Sequence, residues 1–142
     1  MKILILMGSP RLYGNTAELC KHFMDELKKQ NAEVQYIELE KMTINPCKEC
    51  YVCQDTACVY GCAQKDDMTK IAEKILRADT VILATPIFAW YCTAKMKAVL
   101  DRHYGFNKYY GSADGCLWEG KKVGIIATHG YERDYATEPF EV

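Results

Sequence analysis

The chain has 142 residues, 49% of them hydrophobic and 26% charged, with a formal net charge of -1. That length suits one domain with a real core, and the near-neutral charge leaves no electrostatic basis for nucleic-acid binding. The N-terminus enters an apolar strand pattern with a single lysine, and no apolar run approaches the roughly eighteen residues of a membrane span, so the expectation is a cytoplasmic protein without a membrane segment.

Lys2 to Met7 is a continuous apolar run stopped by Gly8, the pattern of a parallel strand buried on both faces. From Asn15 to Gln30, Leu19, Phe23, Met24 and Leu27 recur at helical spacing, and Lys28 and Lys29 suit a helix C-terminus. Glu33 to Glu40 alternates through Val34, Tyr36, Ile37 and Leu39 as a second strand nearer the sheet edge. Residues 41–65 hold no convincing element and carry most of the cysteines, and such a long irregular stretch is usually functional. Asp66 and Asp67 open a helix to about Ala78, with Ile71, Ile75 and Leu76 inward. Thr80 to Ala84 is the next buried strand, followed by an aromatic loop and a helix from Thr93 to His103 that turns Met96, Val99 and Leu100 inward. Lys122 to Thr128 is a fourth strand ending at His129-Gly130.

Strands alternating with helices predict one α/β domain over 1–142, a doubly wound parallel sheet whose strand-end loops gather around one crevice. The polar tail after Gly130 is too short for another helix and strand. The sheet is therefore expected to be short at its C-terminus, with an exposed edge that a second copy would cover.

Loop one, Gly8-Ser-Pro-Arg-Leu-Tyr-Gly-Asn-Thr16, passes from strand to helix N-terminus and lacks both the Gly-Lys-Ser/Thr ending of a triphosphate loop and the G-x-G-x-x-G pattern. Its glycines, short hydroxyl and amide side chains and one guanidinium suit a mononucleotide monophosphate. An ordinary capped helix is the plainer reading. The loop after the third strand, Thr85-Pro-Ile-Phe-Ala-Trp-Tyr-Cys-Thr93, offers rings and backbone amides to a flat heterocycle, and Thr128-His129-Gly130 lets the backbone approach its edge. Phe88 and Trp90 taken alone would read as core.

Cys47-x2-Cys50-x2-Cys53-x4-Cys58-x3-Cys62 places three thiolates at converging spacing, with either Cys58 or Cys62 as a fourth. A cluster, free or redox-active thiols, and zinc all remain open for this loop. Without a signal peptide the eight cysteines are expected to be reduced rather than disulfide-bonded. His22 and His103 read as surface or helix-end residues, and Cys20 and Cys116 as small, partly buried apolar side chains, whereas Cys92 lies in the aromatic loop. Tyr104 to Tyr110 is aromatic enough for a lid or a dimer contact, or for plain packing.

Together with Lys65-Asp-Asp-Met68 and Ala94-Lys-Met-Lys-Ala-Val-Leu-Asp-Arg102, these segments resemble the flavodoxin-like NADPH-dependent FMN reductase family, on its iron-sulfur flavoprotein branch, in the family's order over nearly the whole chain. The resemblance implies FMN held by Ser9, Arg11, Gly14, Asn15 and Thr16 at the phosphate. Pro86, Ile87, Phe88, Trp90 and Gly130 would lie at the ring. It also implies a [4Fe-4S] cluster on Cys47, Cys50, Cys53 and Cys58, with Cys62 as the alternative fourth ligand. The expected activity is an NAD(P)H oxidoreductase passing electrons through flavin to a quinone, a flavin, a disulfide or a metal, with no catalytic side chain required. The alternatives are an electron carrier fed by ferredoxin and a non-redox nucleotide-binding module.

Overall fold

The computed structural model describes residues 1–111, 113 and 115–132. In chain order its elements are β1 (Lys2–Met7), α1 (Asn15–Lys29), β2 (Glu33–Glu38), α2 (Met68–Arg77), β3 (Thr80–Pro86), α3 (Ala94–Asp101), β4 (Asn107–Lys108), β5 (Gly115–Cys116) and β6 (Lys122–Thr128). Short 3-10 turns occupy Leu39–Lys41, Val52–Asp55 and Arg102–Gly105. The main sheet is parallel, in the order β2-β1-β3-β6. Strand β1 is central, paired to β2 from Lys2 to Met7 and to β3 from Ile3 to Met7.

The unbroken apolar run of β1 follows from that position, because a central strand must bury both faces. Ile3, Ile5 and Met7 pack with Cys20 and Leu27 of α1 and with Ile82 and Ala84 of β3. Leu4 and Leu6 point the other way, into a core with Val81, Met68, Ile71, Ile75, Met96, Val99 and Phe106. Alternation along the strand thus feeds two cores, one under α1 and one under α2 and α3, and each fully buried aliphatic side chain contributes about 2 kcal/mol.

Several local expectations are corrected. Leu19 is exposed, and the buried stripe of α1 runs through Thr16, Cys20 and Leu27 instead. Strand β2 stops at Glu38, because Leu39 turns inward to full burial at the head of a 3-10 turn. Helix α2 begins at Met68 rather than Asp66, whose carboxylate accepts from Met68 N–H at 3.1 Å while also pairing with Arg102. Helix α3 ends at Asp101 and tightens into a 3-10 turn. The small antiparallel pair β4·β5 carries no apolar alternation and was not anticipated.

Candidate functional site

The chain leaves β1 in opposite directions to β2 and to β3, so the strand order reverses at the β1/β3 boundary and the loops beyond their carboxyl ends meet there. Loop one is tied to this boundary by the Gly8 N–H, which donates to the Ala84 carbonyl at 2.7 Å. A Cβ on Gly8 would lie 3.0 Å from Met96 Cβ, so glycine is what lets the loop pass α3 closely. Ser9 is buried, and its hydroxyl accepts from Arg11 N–H at 3.2 Å and donates to Arg11 O at 3.3 Å, which shapes the turn.

The first intrahelical bond of α1 runs from Glu18 N–H to Gly14 O, and no side chain caps Gly14. The N–H groups of Asn15, Thr16 and Ala17 therefore precede the helical ladder and form its positive end. Asn15 and Arg11 are exposed beside them. Thr16 is buried and shares a 2.7 Å hydrogen bond with the Thr128 hydroxyl at the end of β6, joining loop one to the fourth strand of the sheet.

Beyond β3, Ile87 N–H donates to Thr128 O at 2.9 Å. Phe88 and Tyr91 then exchange backbone hydrogen bonds at 2.7 and 3.0 Å across Ala89 and Trp90, whose φ values are 47° and 67°. This is a two-residue turn of the kind that favours Gly or Asn, and carrying it on Ala and Trp costs about 1 kcal/mol or more at each. The turn lifts Phe88 (49% exposed) and Trp90 (53%) out of the core, and Trp90 stacks on Tyr131 with centroids 4.9 Å apart. Pro86 is buried, Ile87 half-buried and Gly130 exposed at this rim. Cys92 is buried, and burial pushes its thiol up.

Two threonines that sequence reasoning passed over hold the rim in place. The Thr93 hydroxyl caps α3 by accepting from Met96 N–H at 3.3 Å and donates to Gly8 O at 2.6 Å, and the Thr93 N–H donates to the Thr85 hydroxyl oxygen at 3.2 Å. A Thr immediately before a helical run was the available signal.

The cysteine segment makes a second site. Cys47, Cys50, Cys53 and Cys62 line one pocket, whose wall also includes Tyr51, Arg102 and Tyr104. Cys58 is exposed, has a φ of 60° and is not among the lining residues. No cysteine is in a disulfide, and among the described residues no three Cys, His, Asp or Glu side chains are gathered as ligands of a single ion.

Behind the thiols lie two buried cations. Arg102 forms a fork with Asp66 (Nη1–Oδ2 2.8 Å, Nη2–Oδ1 3.1 Å), both side chains 1% exposed. Its Nη1 also donates to Asn45 O at 2.9 Å and its Nη2 to Cys62 Sγ at 3.2 Å. Burial works to raise the Asp66 carboxyl, but the Arg102 fork and the backbone N–H groups of Asn45 and Met68 outweigh it and hold it below the usual carboxylate range. Lys108 is buried and donates to Cys53 O at 2.5 Å and Tyr60 O at 3.3 Å, and burial lowers its pKa against the pull of Cys53 and Cys62. Gln54, fully buried, stitches the segment to the chain beyond α3, donating to Asn107 O at 2.8 Å and accepting from Tyr109 N–H at 2.9 Å and Tyr110 N–H at 3.1 Å. None of Arg102, Lys108 or Gln54 carries a spacing signal in the sequence.

Tyr104 and Tyr110 meet Tyr51 edge-on at 5.9 and 5.8 Å, so this aromatic stretch packs beside the cysteine segment. His22 is exposed beside Glu18 at 3.3 Å. His103 lies half-buried in the turn that ends α3: Nδ1 lies 2.9 Å from Val99 O, the ring stacks on Trp118 at 5.0 Å, and burial lowers its pKa.

The model of the NADPH-dependent FMN reductase family matches residues 1–137. The chain belongs to this family. Its relatives there include an iron-sulfur flavoprotein of Archaeoglobus fulgidus, 34% identical over 119 residues that cover 79% of this chain and 53% of the relative. An iron-sulfur flavoprotein of Methanocaldococcus jannaschii is 36% identical over 102 residues, 72% of this chain and 50% of the relative. The chain thus spans about half the length of these curated relatives, on the iron-sulfur flavoprotein branch of the family. Among solved structures, an NAD(P)H:quinone oxidoreductase from Methanothermobacter marburgensis superposes with a TM-score of 0.74 at 21% identity, covering 94% of this chain and 67% of that one. This likeness identifies the flavodoxin-like fold.

Proposed function

We propose that the chain binds FMN in the β1/β3 crevice and works as a flavin-dependent oxidoreductase, with a [4Fe-4S] cluster on Cys47, Cys50, Cys53 and Cys62. The observation that carries the flavin reading is the uncapped start of α1 facing the same boundary as the strained turn at Ala89-Trp90. An anionic phosphate is the ligand that an uncapped helix end selects, and an exposed aromatic turn beside it suits a flat ring. Arg11, Asn15 and the N–H groups of Asn15 to Ala17 would hold the phosphate, Ser9 and Thr16 would keep that loop in shape, and Pro86, Ile87, Phe88, Trp90 and Gly130 would contact the ring. FMN supplies hydride acceptance and one-electron release when bound. The residues' part is to place the ring beside the Ala89-Trp90 turn, and no side chain is needed as acid or base.

Four thiols line the pocket, and that number of soft sulfur donors suits iron-sulfur chemistry. A cubane carries its iron atoms at separate corners and spreads its thiolates more widely than one zinc ion does, in keeping with four cysteines around one pocket. Arg102 Nε, buried in that wall without a hydrogen-bond partner, also fits a pocket made for anionic sulfur. Cys62 replaces Cys58 as the proposed fourth ligand because only Cys62 reaches the wall.

Helix α3 links the two sites. Its cap Thr93 holds the crevice and Arg102 follows its last residue at the thiol pocket, so eight residues set a rise of roughly 12 Å between them. That arrangement favours a second reading, an electron carrier loaded through the cluster by ferredoxin, over a non-redox nucleotide-binding module. The deciding experiment is anaerobic purification with flavin, iron and acid-labile sulfide assays, then reduction by NADH, NADPH or reduced ferredoxin. Flavin reduction by a nicotinamide supports the oxidoreductase, and reduction by ferredoxin alone supports the carrier. A colourless protein without FMN affinity overturns both.

A further inference from the structure

The five N–H donors of Arg102 can be followed one by one. The two on Nη1 go to Asp66 Oδ2 and Asn45 O, the two on Nη2 go to Asp66 Oδ1 and Cys62 Sγ, and the one on Nε has no partner although it is buried. Arg102 is part of the wall of the thiol pocket, so its one idle donor belongs to a guanidinium that already reaches a cysteine sulfur there. On the other side, Lys108 sits fully buried behind Cys53, held by two carbonyl oxygens and, among the described residues, by no carboxylate. Asp66 balances one of the two cations. Among the described residues the second buried positive charge has no carboxylate partner; an uncompensated buried charge is retained where an anion completes it, and the thiolates of the pocket that Cys53 lines can do so.

We propose that Arg102 and Lys108 are positioning residues forming a cationic floor under the thiolate-ligated centre, which favours its reduced state. The inference rests on the cluster reading above. Reduction adds one electron, and so one negative charge, to the centre, while no bond to the protein forms or breaks and no proton is taken up by it. The electron comes from reduced flavin in the protein or from dithionite in a titration. A fixed ammonium behind Cys53 and a hydrogen bond into Cys62 Sγ both stabilise the added charge, in a surrounding of low polarity where such effects are strong.

The test uses the full chain purified anaerobically with its cluster, iron and sulfide being measured first, and a dithionite titration followed by electron paramagnetic resonance. Lys108→Met is expected to lower the reduction equilibrium constant about tenfold, which is about 59 mV for one electron. Lys108→Arg, keeping the charge, should stay near the parent. Arg102→Lys keeps a charge but loses the fork and Nε–H, and a drop of about threefold in the same direction is expected. Should Lys108→Met fail to fold by circular dichroism, Lys108→Gln, which keeps a donor for the Cys53 carbonyl, carries the measurement. Bound iron and sulfide with unchanged potentials in the Lys108 and Arg102 variants overturns the cationic floor and leaves the cluster standing. Absence of iron and sulfide from the anaerobic parent overturns both.

Discussion

Thr16 shows how one side chain can serve fold and site together. Its backbone N–H belongs to the uncapped turn of α1, while its hydroxyl is spent on Thr128 across the crevice. Thr16→Ala leaves the N–H in place but frees loop one from β6, and FMN is expected to bind about tenfold more weakly, a cost of about 1.4 kcal/mol. Flavin fluorescence quenching would report it, and unchanged affinity would remove Thr16 from the site. Asp66 is the other residue with a clear prediction. Removing its charge strands Arg102 in the interior, so Asp66→Asn should cost about 3 kcal/mol in urea unfolding. Its folded pKa lies below the unfolded value of 3.8, so the contribution is present above 3.8 and is lost as the pH falls from there through the folded value. Unfolding curves between pH 7 and pH 3 should show that loss in the parent and not in Asp66→Asn.

At the scale of elements, the cysteine segment is held by turns and buried polar side chains rather than by regular structure. Gly61 has a φ of +67°, and a Cβ there would come within 2.6 Å of Thr56 Cβ. Only glycine meets both conditions, and it delivers Cys62 to the pocket. Gly61→Ala is expected to destabilise the fold by about 2 kcal/mol and to lower the iron content, as thermal unfolding and metal analysis would show. The turn at Ala89-Trp90 is strained in the same sense but projects aromatic rings outward, which is how strain is used where a ligand is received.

At the scale of the molecule, the sheet is asymmetric. Among the described residues, strand β1 is covered on both faces, whereas β6 pairs with β3 alone and has Val123 (55%) and Ile125 (51%) exposed. An edge strand with apolar side chains is a site of association. The chain is expected to self-associate through this edge, and Ile125→Lys should weaken that association in sedimentation equilibrium. A parent that remains monomeric throughout would remove the expectation of a homo-oligomer. Among the described residues no helix is long and apolar enough to cross a membrane.

The sequence by itself determined the elements whose signal is local: the two-faced burial of β1, the helices at α1, α2 and α3, the alternation of strands and helices that implies a parallel sheet, and the loop that starts α1 at Gly14. These are legible because burial period and capping chemistry act over a few neighbouring residues. Tertiary structure decided what depends on partners far along the chain. Cys62 and Cys58 are equivalent by spacing, and only the path of the segment over Arg102 separates them. Asp66 reads as a helix-start residue and does accept from Met68 N–H there, but its pairing with a buried guanidinium 36 positions away is not legible locally. Lys108 and Gln54 look like surface residues by type and are buried because distant backbone groups give them their hydrogen bonds, carbonyls of the cysteine segment for Lys108 and, 53 to 56 positions away, groups beyond α3 for Gln54. A charged or polar side chain is buried only where distant partners satisfy it, and those partners exist only in the folded chain.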